Sequence, residues 1–103
     1  YAMLKHIVLW KLDNNYSAKE KKSLLKEIRS RLIALDRTIT LIQHLEVFLR
    51  DPTTPETNYD IMLDTVFNSV KDLDDYQNHP DHLRVVKYIK SLKLQRAAID
   101  FTF

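Results

Sequence analysis

Apolar side chains occupy both faces of the first strand-forming segment, and no other feature limits the possible folds as much. Residues 4–12 alternate in the manner of a β-strand, with Val8 and Trp10 on one face and Ile7 and Leu9 on the other. A strand that is apolar on both faces has to be covered on both sides. We therefore expect helices of the chain to cover one face of the sheet and a further layer to cover the other.

The next segments alternate between helical and extended patterns. Ser17 and Glu20 have the spacing of a capping box, which predicts that a helix begins there. The apolar stripe of this helix consists of Leu24, Leu25, Ile28, Leu32 and Leu35. Residues 41–49 and 59–67 have strand patterns, and the loop 50–58 between them contains two prolines. These two strands are therefore expected to form a hairpin with a long loop.

The C-terminal part predicts a helix in two pieces and a last strand. Ser69 can cap a short helix, and Pro80 ends it because a proline inside a helix removes a hydrogen bond. Pro80 suits the first turn of a new helix, predicted for residues 80–92, and residues 94–103 form a strand. The order βαββαβ predicts an α+β fold of the ferredoxin-like type, in which helices cover one face of a four-stranded antiparallel sheet.

Such a sheet leaves its other face without a cover. In the predicted strands, that face carries apolar and charged side chains, namely Ile7, Leu9, Met62, Val66, Lys5, Lys11, Asp60 and Asp64. An apolar patch of this size on a monomer usually marks an interface. We therefore expect a homodimer in which two open sheet faces pack together and close an α/β barrel.

The composition excludes several classes of function. The chain has no glycine, which dinucleotide and P-loop sites need for close backbone approach to phosphates. It has no cysteine, which excludes disulfides, thiolate nucleophiles and cysteine-ligated zinc. Its net charge of +2 comes from interspersed charges of both signs, so we expect no nucleic-acid partner. No cofactor or metal is expected, since His44 near Asp60 or Asp64 has no recognised metal spacing.

The length is typical of one compact domain. The chain has 103 residues, and we expect a single domain over residues 3–103, with Tyr1 and Ala2 as a remnant before a natural start at Met3. No apolar run approaches the roughly 20 residues that cross a bilayer, and the first residues lack the layout of a secretory signal. The sequence therefore predicts a soluble cytoplasmic protein without a membrane partner.

Over nearly its whole length, the sequence resembles the stress-responsive A/B barrel family, also called the dimeric α/β barrel family. The matching segments are residues 4–12, 45–47, 59–67, 76–82 and 99–101. The most specific of them is Tyr76-Gln77-Asn78-His79-Pro80-Asp81-His82, an aromatic residue followed by an HPxH element. The resemblance implies a homodimer of ferredoxin-like subunits, each with a small-molecule pocket.

A plant polyketide cyclase of that family uses the second histidine of HPxH as catalytic acid and base, with the preceding tyrosine as its partner. The resemblance gives these roles to His82 and Tyr76 and puts His6 in the same pocket. The cyclase has a tyrosine and a histidine where this chain has Ile28 and Ile61, so the pocket here is more aliphatic. The predicted ligand-binding wall consists of His6, Trp10, Ile28, Ile61 and Val86.

Each polar residue of this pocket also has a structural interpretation. His82 lies in the first turn of its helix, where the helix dipole and burial both favour a neutral ring, but it could equally be packed in the core. Tyr76 and His6 could likewise be core residues with satisfied hydrogen bonds. His79 is expected to serve the helix junction, because a residue before proline is held in an extended conformation.

Two functions stay open at this point. The first is a binding or stress-associated barrel without catalysis, which the aliphatic Ile28 and Ile61 favour. The second is a cofactor-independent enzyme that acts on a small aromatic or polyketide-like molecule, with His82 as base and Tyr76 orienting an oxygen. The two differ in whether the polar side chains converge on a cavity or on packed aliphatic carbon.

Overall fold

A computed structural model of the chain describes residues 2–103, so Tyr1 of the predicted N-terminal remnant lies outside the described residues. Its elements are β1 (Leu4–Lys11), α1 (Ala18–Thr38), β2 (His44–Leu49), β3 (Ile61–Phe67), α2 (Val70–Gln77), α3 (Pro80–Ser91) and β4 (Gln95–Thr102). The predicted ferredoxin-like order is confirmed, although β2 begins at His44 rather than at position 41. No helix within residues 2–103 is long and apolar enough to cross a membrane.

The four strands form one antiparallel sheet in the order β2-β3-β1-β4. The first strand therefore lies inside the sheet, where Leu9 pairs with Met62 of β3 on one side and with Ala97 of β4 on the other. Burial alternates along β1, with every second side chain packed beneath the helices. The strand that is apolar on both faces is thus a central strand, with one face covered by the helices and the other only partly buried in the subunit.

Local side-chain hydrogen bonds determine where the helices begin. Ser17 Oγ accepts from the amide of Glu20 at 3.1 Å and the Glu20 carboxylate accepts from the amide of Ser17 at 2.9 Å, which is the predicted capping box. His79 caps α3, because its Nδ1 accepts from the amide of Asp81 at 3.1 Å, and Pro80 occupies the first position of that helix. The break between α2 and α3 is therefore built by the HPxH element itself.

The core lies between the helices and the inner face of the sheet. Ile28 of α1 and Phe67 of β3 are both 0% exposed, and Ile61 is 2% exposed. These residues belong to one continuous cluster with Leu32 and Leu35 of α1 and with Leu73, Val85 and Ile89 from the other two helices. Burial of this cluster supplies most of the apolar driving force that holds the helices on the sheet.

The opposite face of the sheet has no helix against it. This open face is formed by Lys5, Ile7, Leu9, His44, Glu46, Phe48, Met62, Asp64, Val66, Ala97, Ile99 and Phe101. Phe48, Ile99 and Phe101 are 46%, 59% and 39% exposed, which is unusual for large apolar side chains. Its central charges are matched, because Lys5 Nζ lies 3.3 Å from Asp64 Oδ1.

Asp60 does not lie on the open face as the strand pattern predicted. It comes one residue before β3 begins and is 6% exposed. Its Oδ2 accepts from the amide of Leu12 at 2.8 Å, and its Oδ1 lies 3.6 Å from Nε of Arg50. The prediction was wrong because the alternation of β3 does not extend to this position, where the carboxylate instead joins the ends of β1 and β2.

Candidate functional site

A cleft of about 300 Å³ lies between α3 and the helix-covered face of the sheet. Five of the seven predicted site residues line it, namely His6, Trp10, Tyr76, His82 and Val86. Ile28 and Ile61 do not line it and pack in the core instead. The polar side chains therefore converge on a cavity. Ile28 and Ile61, the two aliphatic residues of the predicted pocket, are buried in the core and do not contribute to the cavity wall.

Two elements bring the polar groups together. The alternation of β1 turns His6 toward the helices, on the same side as Trp10. The break at His79 turns the chain so that the rings of Tyr76 and His82 lie 4.4 Å apart between centroids. The edge of the His6 ring faces Tyr76 at 6.4 Å. The three rings thus form one cluster at the inner end of the cleft.

The hydrogen bond of His82 determines which of its nitrogens is available. Its Nδ1 lies 3.0 Å from the backbone oxygen of Gln77, which can only accept, so Nδ1 carries the hydrogen and Nε2 is left as an acceptor. Burial lowers the pKa of His82 below 6.5. The bond to Gln77 opposes this shift in pKa, whereas the nearby positive charge of Arg96 adds to it. Near pH 7 the ring is neutral and can accept a proton at Nε2.

Tyr76 presents a hydroxyl without a partner. Its side chain is 0% exposed, and its Oη atom forms no hydrogen bond with any other part of the chain within residues 2–103. Burial raises the pKa of Tyr76, so the phenol stays protonated at physiological pH. A buried hydroxyl without a partner is rare in proteins, and one beside a cavity can donate to an oxygen atom of a bound molecule.

Asp100 completes the site. It faces His6 across the β1 and β4 pairing, and its Oδ1 accepts from Nδ1 of His6 at 2.5 Å. The bond holds the imidazole in one orientation and one tautomer, as second carboxylates do for many functional histidines. The sequence pattern assigns no role to Asp100, although the alternation of β4 puts it on the same face as Arg96, which also lines the cleft.

The arrangement offers acid and base chemistry without a metal. A neutral imidazole with a free Nε2 can remove a proton, and a neutral phenol close to it can donate to a developing oxyanion. Within residues 2–103, no group of three or more histidine or acidic side chains is placed to hold a metal. His44 lies on the open face, and its Nε2 is 2.7 Å from Glu46 Oε1.

Sequence comparisons identify the protein family of this chain. The model of the stress-responsive A/B barrel domain family matches residues 4–103. The stress-response A/B barrel domain-containing protein DABB1 of Arabidopsis thaliana is 31% identical over 101 residues, which cover 97% of this chain and 47% of that protein. The chain therefore spans about half the length of this relative.

Solved structures share the fold. A dimeric protein of unknown function with a ferredoxin-like fold from Bacteroides fragilis has a TM-score of 0.86 and 31% identity, with coverage of 98% of this chain and 96% of that one. The hydroxynitrile lyase of Passiflora edulis has a TM-score of 0.78 at 14% identity, with coverage of 98% and 93%. The second likeness is one of fold alone.

Proposed function

Because the chain belongs to the stress-responsive A/B barrel family, we propose that it acts as a homodimeric α/β barrel that binds a small apolar or aromatic molecule in the cleft of each subunit. The observation that carries this proposal is the unpartnered Tyr76 hydroxyl beside a cavity of about 300 Å³. The proposal covers residues 3–103 as one domain. The cytoplasmic location expected from the sequence stays a prediction.

The open face supports self-association. Three large apolar side chains are exposed on it, and a second copy of the same face would remove them from water. The dimeric state of the Bacteroides fragilis protein agrees with this proposal. The charges of the face are largely paired within the subunit, with Lys5 against Asp64 and His44 near Glu46, which lowers the cost of burying them.

The cleft supports binding of a molecule that is mainly apolar. Most of its wall residues are apolar, with Trp10, Val86 and Ile89 among them, and Lys90 and Arg96 add positive charge. A cavity of this size lies at the lower end of the range found for small-molecule sites. A hydroxyl or carbonyl on the ligand would pair with Tyr76 and remove the cost of leaving its buried hydroxyl without a partner.

An NMR titration that follows signals of the protein tests this function directly. A set of small phenols and aromatic ketones is titrated into the labelled protein, and the Trp10 indole and His82 ring signals are followed. We expect some members to shift both signals, because both side chains line the same cleft. A Val86→Trp variant, which fills the cleft, serves as the control. Shifts that persist in that variant, or no binding at all, would contradict the proposal.

A second candidate is a cofactor-independent enzyme of the polyketide cyclase type with His82 as general acid and base. Two observations favour it. The lowered pKa of His82 and its free Nε2 suit a general base, and Tyr76 is positioned to donate to the substrate oxygen.

A hydrogen–deuterium exchange experiment on a bound ketone distinguishes catalysis from binding alone. The protein is incubated in D2O with a bound aromatic ketone, and deuterium uptake next to the carbonyl is measured by NMR. An enzyme would accelerate the exchange and lose the effect in His82→Asn, while the affinity for the ketone changes little. If the ketone binds but its deuterium exchange proceeds at the uncatalysed rate, the enzymatic function is contradicted and the binding function is retained.

A further inference from the structure

The cleft continues outward into a second cavity. This outer cavity has a volume of about 180 Å³ and shares wall residues with the cleft, including Trp10, Val86 and Ile89. Leu94 adds another apolar side chain to its wall. A ligand anchored at Tyr76 can therefore extend along an apolar channel toward the surface.

Positive charge is concentrated at the outer end of this channel. Lys90, Lys93 and Arg96 all line the outer cavity, and all three are exposed. No acidic side chain lines either cavity in the described part of the chain. None of the three cations forms an ion pair with another residue between positions 2 and 103. The charge at the channel mouth is thus available to a ligand.

Lys93 lies at the turn that ends α3. Lys93 has a φ of 55°, and it is the one residue described with a positive φ. This left-handed conformation follows the end of α3 and is strained for a residue with a Cβ, so glycine or asparagine is the usual choice. The turn that ends α3 therefore directs Lys93 to the outer cavity, which it lines.

We propose that the cleft takes an amphipathic anion, with an apolar body in the channel and an oxyanion head between Lys90, Lys93 and Arg96. The inference rests on the proposed binding function. It specifies in addition that the ligand is negatively charged and which residues recognise that charge. The inner end, at Tyr76 and His82, then holds a neutral oxygen of the ligand, and the head group stays partly hydrated at the mouth. Each exposed cation contributes a small, additive share of the selectivity.

A matched pair of fluorescent probes tests the charge preference. The probe 8-anilinonaphthalene-1-sulfonate carries a sulfonate, and N-phenyl-1-naphthylamine has the same two aromatic groups without it. Both are titrated into the dimer, and their dissociation constants are compared. We expect the sulfonate probe to bind about 25-fold more tightly, because three cations each favour it by about threefold.

Single substitutions then test whether the cations at the channel mouth cause the preference for the sulfonate probe. Lys90→Gln, Arg96→Gln and Lys93→Asn should each weaken binding of the sulfonate probe by about threefold and leave the neutral probe within about twofold of the parent. Lys93→Asn should not lower the urea midpoint, since asparagine tolerates the left-handed conformation. Lys87→Gln is the matched control, because Lys87 is exposed on α3 and lines neither cavity.

The outcomes separate this inference from the proposed function. Equal binding of the two probes, or equal loss of both in the mouth variants, overturns the anion preference and leaves the binding cleft standing. Failure of both probes to bind, or binding that survives Val86→Trp, overturns the cleft and the anion preference together. Selective loss of the sulfonate probe in the mouth variants, with Lys87→Gln unchanged, is the result that supports the inference.

Discussion

The rings of Tyr76 and His82 lie against each other across the break between α2 and α3, with 4.4 Å between their centroids. This contact exists because His79 caps α3 and Pro80 starts it, so the chain turns between the two rings. The contact puts a buried hydroxyl, which has no partner among residues 2–103, beside a neutral imidazole, and both side chains line the cleft. The HPxH element is therefore a structural device and part of the site at once.

The first prediction concerns the titration of His82. Burial holds its folded-state pKa below 6.5, so the unfolded chain binds the proton more readily than the folded one. The free energy of unfolding should therefore fall as the pH drops below about 6.5 and stay constant, for this group, above that value. An NMR titration of the His82 ring protons gives the pKa, and urea unfolding at several pH values gives the stability.

The His82→Asn variant is the control for this prediction. Its side-chain amide can still donate to the Gln77 carbonyl, but it does not titrate. Subtracting its pH profile from that of the parent isolates the contribution of His82 from those of the other histidines and the carboxylates. A His82 pKa at or above 6.5, or identical profiles for the two proteins, would contradict the burial argument.

The second prediction concerns the Tyr76 hydroxyl. Tyr76→Phe removes a buried group that has no partner within residues 2–103, so no hydrogen bond is lost and the free energy of unfolding should change by less than about 1 kcal/mol in either direction. Affinity for a phenol or ketone ligand should fall at the same time. Urea unfolding and NMR titration measure the two effects. A loss of stability well above 1 kcal/mol would mean that the hydroxyl has a partner in the free protein.

The fold was predictable because its signals are local and strong. The capping box at Ser17 and the proline at position 80 predict where helices begin, and the alternation of β1 predicts its burial. The bounds of β2 were less predictable, because hydrophobic residues before His44 continue the strand pattern although the backbone there forms turns. Ile42 is buried, so its pattern reports burial and not extended structure.

The site was predictable only in part, since it depends on contacts between distant strands. The segment 76–82, in which Tyr76 precedes the HPxH element that ends at His82, predicts both residues, and the structure brings both to the cleft. Asp100 and Arg96 became recognisable only once the register of β1 and β4 put them opposite His6 and Trp10. A register between strands some 90 positions apart in sequence cannot be determined from alternation alone, because a slip of two residues keeps every side chain on its face and changes only its partner.

The third prediction concerns the open face. Ile99 is 59% exposed in the isolated subunit, so Ile99→Asp should leave the subunit folded. In a dimer that buries this face, the new charge would cost several kcal/mol, and the variant should elute as a monomer in size exclusion with light scattering. Leu83→Asp is the matched control, because Leu83 is 51% exposed on α3, away from the open face. If the Ile99→Asp variant stays dimeric, or if the parent protein is a monomer, the proposed dimer through the open face is contradicted.

The fourth prediction concerns Asp60, the carboxylate that the strand pattern misplaced. Asp60→Ala should lower the free energy of unfolding by about 2 to 4 kcal/mol, because it leaves the Leu12 amide without an acceptor and Arg50 without its counter-charge. Asp60→Asn keeps an acceptor for Leu12 and should lose only about 1 kcal/mol. Urea unfolding measures both losses against Asp36→Ala, an exposed aspartate on α1 expected to change stability by less than about 0.5 kcal/mol. Equal losses in the two Asp60 variants would assign the whole effect to the charge, and no loss in either would show that this junction does not stabilise the fold.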